Sequence, residues 1–179
     1  DCKIYREDGE KMKSIFLVGF MGAGKTTVGS ILSEKMNFDF CDTDQMIVEE
    51  ESREIVNIFK TDGEEYFRDL ESKKLYEVQN RENTIFSTGG GIILREENRE
   101  ILNKNFSVYL KASYEEIFSR IKKDTTRPLL NNEDPYNTGL KIFESRKELY
   151  DSFLLFVETD FISPELVADK IYNLYRNKT

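Results

Sequence analysis

The sequence predicts an α/β fold: a parallel sheet with helices packed on both of its faces. Three observations predict it. Short apolar runs alternate with longer helix-like stretches, the pattern of strands and crossover helices in a parallel sheet. A glycine-crowded loop joins the first apolar run directly to the first of those stretches. No internal repeat or low-complexity linker divides the 179 residues, a length that suits one domain.

Residues 1–11 carry no apolar periodicity and read as an N-terminal tail, with a single domain expected over 12–179. The strand runs are "SIFLVGF" from Ser14, "FDFCD" from Phe38, "TIFSTG" from Thr84, "FSVYL" from Phe106 and "LLFVET" from Leu154. Between the second and third, "EYFRDLESKKLYEVQN" sets Phe67, Leu70, Leu75 and Val78 on one helical stripe. The last helix opens on Ser163, Pro164 and Glu165, a capping residue followed by a proline in the first turn. "KKDTTRPLLNNEDPYNTG", from Lys122 to Gly139, is the one long polar break, and its prolines Pro128 and Pro135 limit helix formation. A loop of that length in a compact domain is usually functional or disordered.

Composition narrows the function. Lys and Arg total 26 against 34 Asp and Glu, a net charge of -8, which argues against a broad nucleic-acid or anionic-membrane surface. An anionic ligand would therefore need its cations gathered in one place. The chain has no histidine, so a general base must be a carboxylate, a lysine or another group. Cys2 and Cys41 make no disulfide framework, the N-terminal stretch is too polar for a signal peptide, and no apolar run has the length of a membrane span. The expectation is a cytoplasmic protein.

"GFMGAGKT", Gly19 to Thr26, matches G-x-x-x-x-G-K-[ST] in full. Glycines let the backbone turn its N–H groups inward, and the following helix brings its positive end to the same point. Lys25 adds a mobile charge for the β- and γ-phosphates, and the Thr26 hydroxyl is placed for Mg²⁺. The loop alone fits a GTPase switch, a motor, an ATPase or a small-molecule kinase. "FCDTDQMI" puts Asp42 and Asp44 at the end of the second strand, where carboxylates can hold Mg²⁺ or align an attacking hydroxyl, or merely cap a helix. Arg68 and Glu71 share a helix face, which suits a surface pair or a guanidinium held ready for a substrate carboxylate. Gly89, Gly90 and Gly91 end the third strand, and three glycines there allow close approach of a ligand.

With these residues in order, the chain resembles the shikimate kinase family. The resemblance runs from Met12 onward through "GFMGAGKTTVG", "DTD", "GEEYFRDLE", "STGGG", "RPLL" and "SRKELY". It implies a P-loop kinase fold of three layers, a five-stranded sheet in the order 2-3-1-4-5, and a mobile lid at about 122–132. It further implies ATP-dependent phosphorylation of the 3-hydroxyl of shikimate, with Mg²⁺. Asp44 is then the proposed base, with Lys25 and Arg127 acting on the transferring phosphate. Thr26 and Asp42 hold the metal, with Ser87 further out. Gly22, Ala23, Gly24, Lys25, Thr26, Thr27, Arg120 and Arg127 bind the nucleotide. Asp44, Phe59, Phe67, Arg68, Gly89, Gly90, Gly91 and Arg146 bind the acceptor. A monomer without nucleic-acid or membrane partners is expected.

One stretch departs from the family. Where an arginine commonly precedes the last proline and helps to sandwich adenine, this chain has Phe161 and Ile162, so apolar packing or a looser nucleotide choice is expected there. The alternatives are another small-molecule kinase, such as a gluconate kinase, or a non-catalytic nucleotide-binding module. A GTPase would show an N-K-x-D segment, and none is present.

Overall fold

The structure, a computed structural model, describes residues 11–122 and 133–178. Five strands, β1 (Ile15–Val18), β2 (Asp39–Asp42), β3 (Thr84–Ser87), β4 (Phe106–Lys111) and β5 (Phe156–Glu158), form one sheet in the order β2-β3-β1-β4-β5. All pairings are parallel, as the alternating sequence predicts, and the order is the one the resemblance implies. Register brings Leu17 opposite Ser87 and Asp42 opposite Ser87, so the C-terminal ends of β1, β2 and β3 finish together. That edge is where an open parallel sheet places its ligands.

The two-residue period of the strands sorts the core. Ile15 and Leu17 face one layer with Val28, Leu32, Ala168 and Ile171, while Phe16 and Val18 face the other with Leu75, Ile117 and Tyr150. The first layer is built by α1 (Lys25–Met36) and α7 (Pro164–Arg176). The second is built by α3 (Ile55–Val78), α4 (Glu96–Lys104), α5 (Tyr114–Ile121) and α6 (Pro135–Asp151). Each wholly buried Leu or Ile contributes about 1.5–3 kcal/mol against conformational entropy.

A third cluster, Ile47, Ile58, Phe67 and Leu70, joins α2 (Thr43–Glu51) to α3. The stripe expected on α3 is thus divided: Phe67 and Leu70 serve this cluster, and Leu75 and Val78 serve the main core. Gly63, with φ 88 and ψ 172, interrupts α3. The Phe59 and Phe67 rings meet across the break with centroids 5.0 Å apart.

Helix ends follow local chemistry. Ser163 Oγ accepts from Leu166 N (3.3 Å), and Pro164 starts α7 as expected. The polar break ends sooner than the sequence suggests. Asp134 Oδ1 accepts from Asn137 N (3.2 Å), and Pro135 begins α6 rather than blocking it. Proline lacks an N–H that the first helical turn does not need. β5 is only three residues long, and Leu154, expected to open it, is 93% exposed.

Candidate active site

Gly22 and Gly24 hold the turn between β1 and α1 with φ of 79 and 93. Gly24 is the N-cap of α1 with no side-chain cap, and a Cβ there would meet no heavy atom within 4 Å. Gly24, Lys25, Thr26 and Thr27 line the cleft at the positive end of α1, where free helix amides can take an anion. Lys25 is buried, and its Nζ donates to Gly19 O (2.7 Å) and Phe20 O (3.0 Å). The ammonium is folded back on its own loop rather than extended, because a buried cation takes whatever acceptors lie in reach. Ala23 is buried beneath the loop, and Thr27 lines the cleft beside it.

Three oxygens gather beyond the loop. The Thr26 hydroxyl donates to Asp42 Oδ2 (3.1 Å) and lies 3.3 Å from Ser87 Oγ. Asp42 Oδ1 accepts from Asp44 N (3.0 Å) and Gln45 N (3.3 Å), capping α2. Asp42 thus caps α2 through one oxygen and accepts from Thr26 with the other. Hard oxygen donors of this kind fit Mg²⁺, which takes one or two carboxylates and completes its shell with phosphates and water. Asp44 follows on the first turn of α2 and lines the same cleft.

The glycine triplet sits where side chains would collide. A Cβ on Gly89 would overlap carboxylate oxygens of Glu71 and Asp44, and a Cβ on Gly91 would overlap the Arg68 guanidinium. Arg68 is buried on α3 and pairs through Nη1 with Glu71 and through Nη2 with Glu64 (2.8 Å). Burial pushes the Glu71 carboxyl above the usual carboxylate range, against the pull of Arg68. Arg146 on α6 is also buried, and its Nη1 donates to Gly90 O (3.3 Å). It has no ion-pair partner among the described residues, and burial, with Arg68 repelling it, presses its charged form down. Two guanidinium groups therefore converge behind Gly90, and Arg146 has no ion-pair partner among the described residues, with only the charges of Glu64 and Glu71 acting on it from further off.

A cleft of about 1070 Å³ runs from Gly22 and Lys25 past Asp42 and Asp44 to Gly90, while Arg68, Arg146, Gly89, Gly91, Phe59 and Phe67 do not line it. Phe59 and Phe67 flank Arg68, whose guanidinium carbon lies 5.9 Å and 5.5 Å from their ring centroids. Arg120 stands at the opposite mouth, where Nη1 donates to Gly22 O (3.4 Å) and Nη2 to Thr159 O (3.5 Å). Arg127 and the expected lid after Lys122 lie outside the described residues. Two contributors escape the sequence reading. Tyr150, wholly buried, donates its hydroxyl to Gly90 O, and Glu64 holds the second arm of Arg68. Their only sequence signal is spacing, four residues after Arg146 and four before Arg68.

A sequence profile of the family described as "Shikimate kinase" matches residues 21–176. The chain belongs to the shikimate kinase family. A shikimate kinase of Caldicellulosiruptor saccharolyticus is 43% identical over 168 residues, covering 93% of this chain and 98% of its own. The solved shikimate kinase from Acinetobacter baumannii in complex with shikimate superposes with a TM-score of 0.89 at 35% identity, over 94% of this chain and 95% of its own. A gluconokinase from Sinorhizobium meliloti reaches a TM-score of 0.57 at 18% identity, over 93% of this chain and 95% of its own. That likeness is one of fold alone, so the gluconate alternative is not favoured.

Proposed function

We propose that the chain transfers the γ-phosphoryl group of ATP to the 3-hydroxyl of shikimate, giving shikimate 3-phosphate. The observation that carries the acceptor is Arg146, a buried cation with no ion-pair partner among the described residues, set beside the Arg68–Glu71 pair behind a glycine-lined floor. A carboxylate on the acceptor would supply the missing charge. A nucleotide or a neutral sugar would not bring a carboxylate to that end of the cleft, whereas gluconate would, so the clamp alone does not separate shikimate from gluconate.

In this reading the α1 amides and Lys25 take the β- and γ-phosphates, with Lys25 exchanging loop carbonyls for phosphate oxygens. Thr26 and Asp42 hold Mg²⁺, which when bound supplies positive charge against the phosphates. Arg68 and Arg146 grip the acceptor carboxylate and so fix the ring. Asp44, on the wall between the two ligands, aligns the hydroxyl and takes its proton. Gly89, Gly90 and Gly91 let the ring lie against backbone. Arg120 borders the nucleotide, and Arg127 meets the transferring phosphate from the lid. The protein chiefly positions groups and neutralises charge, which is what this chemistry demands. The reading carries with it one catalytic domain from Met12 on, working as a cytoplasmic monomer. No helix among the described residues is long and apolar enough to cross a membrane.

ADP release measured with shikimate, gluconate and a nucleoside monophosphate as acceptors tests this directly. Shikimate alone is expected to stimulate release. Equal stimulation by gluconate, or none by any acceptor, would overturn the reading.

A further inference from the structure

Gly90 O accepts two hydrogen bonds from one helix. Tyr150 Oη donates to it, and Arg146 Nη1 donates to it at 3.3 Å. The two residues are four apart on α6, so their side chains leave the same face. Both are buried, so the carbonyl points towards α6. A carbonyl oxygen has two lone pairs, and here each has a donor. The two donors are not equivalent. The Arg146 contact is longer than a good N–H···O bond. Its Nε and Nη2 donate to no described residue, and its guanidinium carbon lies 6.0 Å from the centroid of the Phe20 ring, the outer limit of a cation–π contact.

Tyr150 is held more firmly. Its ring stacks on Tyr109 of β4, with centroids 5.2 Å apart and planes 12° from parallel, and Tyr109 is itself buried. Gly90 O is the one acceptor its hydroxyl has among the described residues. Burial pushes the phenol above its usual range, so it remains a donor near neutral pH. Gly90 in turn sits against the phosphate loop, where a Cβ on it would come 3.2 Å from Met21 N. Gly90 lines the cleft, whereas Arg146 lies behind it.

We infer that Tyr150 is a positioning residue for the acceptor: it keeps Gly90 O paired and so frees Arg146 to turn to the acceptor carboxylate. This rests on the reading of the acceptor as shikimate. To grip a carboxylate in the cleft with two parallel N–H groups, Arg146 turns outward and gives up its long bond to Gly90 O. With the Tyr150 hydroxyl in place, the carbonyl still has a donor. Without that hydroxyl, Arg146 is the carbonyl's remaining donor among the described residues, and a charged donor holds a neutral oxygen strongly. Turning outward would then leave the carbonyl unpaired, which costs the full desolvation of that group. The acceptor would bind against that cost.

Tyr150→Phe removes the hydroxyl and keeps the stacked ring. It is expected to raise the KM and Kd for shikimate about 5- to 30-fold, the scale of one lost hydrogen bond, with kcat and ATP affinity nearly unchanged. In a protein that already carries Arg146→Ala, the same change should add nothing to the loss, since no guanidinium is left to be held back. That comparison is made through kcat/KM for shikimate, which needs no saturation. A hydroxyl that only braced the fold would instead weaken both ligands, and would do so in both backgrounds. Wild-type shikimate affinity in Tyr150→Phe, an equal loss of ATP affinity, or a loss that recurs in full beside Arg146→Ala would overturn the assignment while the acceptor stands. A wild-type chain that does not bind shikimate would overturn the reading of the acceptor and this inference with it.

Discussion

Arg68 and Glu71 form an ion pair that solvent barely reaches, with exposures of 7% and 1%. Each has a reason to be there only if the other is. Desolvation penalises both charges, and their attraction offsets it. The pair also fixes the guanidinium against Gly91, next to Gly90 at the end of the cleft that we assign to the acceptor.

Arg68→Ala is expected to weaken shikimate binding strongly, by about 2–5 kcal/mol for a desolvated charge contact, with ATP affinity unchanged. Glu71→Gln keeps the shape and removes the charge. It should raise the KM for shikimate more than it lowers kcat, because it acts through the placement of Arg68. Calorimetric titration of each ligand alone, together with steady-state kinetics, checks both.

Two glycines separate collision from strain. A Cβ at Gly91 would overlap Arg68, whereas one at Gly63 would meet no heavy atom within 4 Å, although φ there is 88. Gly91→Ala should therefore cost at least about tenfold in shikimate affinity, the effect of displacing a charged contact. Gly63→Ala should cost about 1–3 kcal/mol of stability through its backbone conformation alone, since φ 88 with ψ 172 is a region almost restricted to glycine. Melts and shikimate titrations of the two variants should show opposite patterns.

The sequence carries what is local. "GFMGAGKT" is a contiguous run whose strand, loop and helix follow one another, so the phosphate site is legible without tertiary information. The five strands are legible because each is an apolar run bounded by breaks. The first half of α3 is not, because Gly63 breaks its period and the fragment before it buries only Ile58. Tyr150 and Gly90 lie 60 residues apart, and nothing local pairs them. Arg146 is legible only through the resemblance, since an arginine on an amphipathic helix is ordinarily solvated and only the packed structure buries this one.

The Asp42 and Asp44 roles can be separated by amide substitution. Asparagine caps a helix about as well as aspartate, so α2 should survive Asp42→Asn. That variant is expected to need a higher Mg²⁺ concentration for half-maximal rate. Asp44→Asn is expected to lower kcat by about 10²-fold or more, the usual loss of a general base, without moving the Mg²⁺ requirement. A Mg²⁺ titration of the rate in each variant checks the division of labour. Equal Mg²⁺ curves in the two would remove it.

Acid should loosen the end of α2 distal to Asp44. Glu50 accepts from Lys73 Nζ (2.6 Å) and from Lys74, and these two hydrogen bonds hold its carboxyl down at about 2 against an ordinary 4.5. The sign follows from that depression. The folded state binds this proton less readily than the unfolded chain, so the pair's stabilisation is fully present above pH 4.5 and is lost as pH falls towards 2. The Glu50 side chain is 40% exposed, so solvent screening limits the effect to about 1 kcal/mol or less. Lys74, 9% exposed at its side chain, keeps Glu77 at 2.7 Å when Glu50 is neutral and is not stranded. Glu50→Gln should therefore cost about 1 kcal/mol or less at pH 7 and almost nothing near pH 2. Other carboxylates titrate over the same range, which makes the gap between the two stability curves the quantity to measure. Urea unfolding of both proteins at intervals from pH 7 to pH 2.5 gives that gap, and a constant gap across the range would mean that the lysine pair does not hold the Glu50 charge.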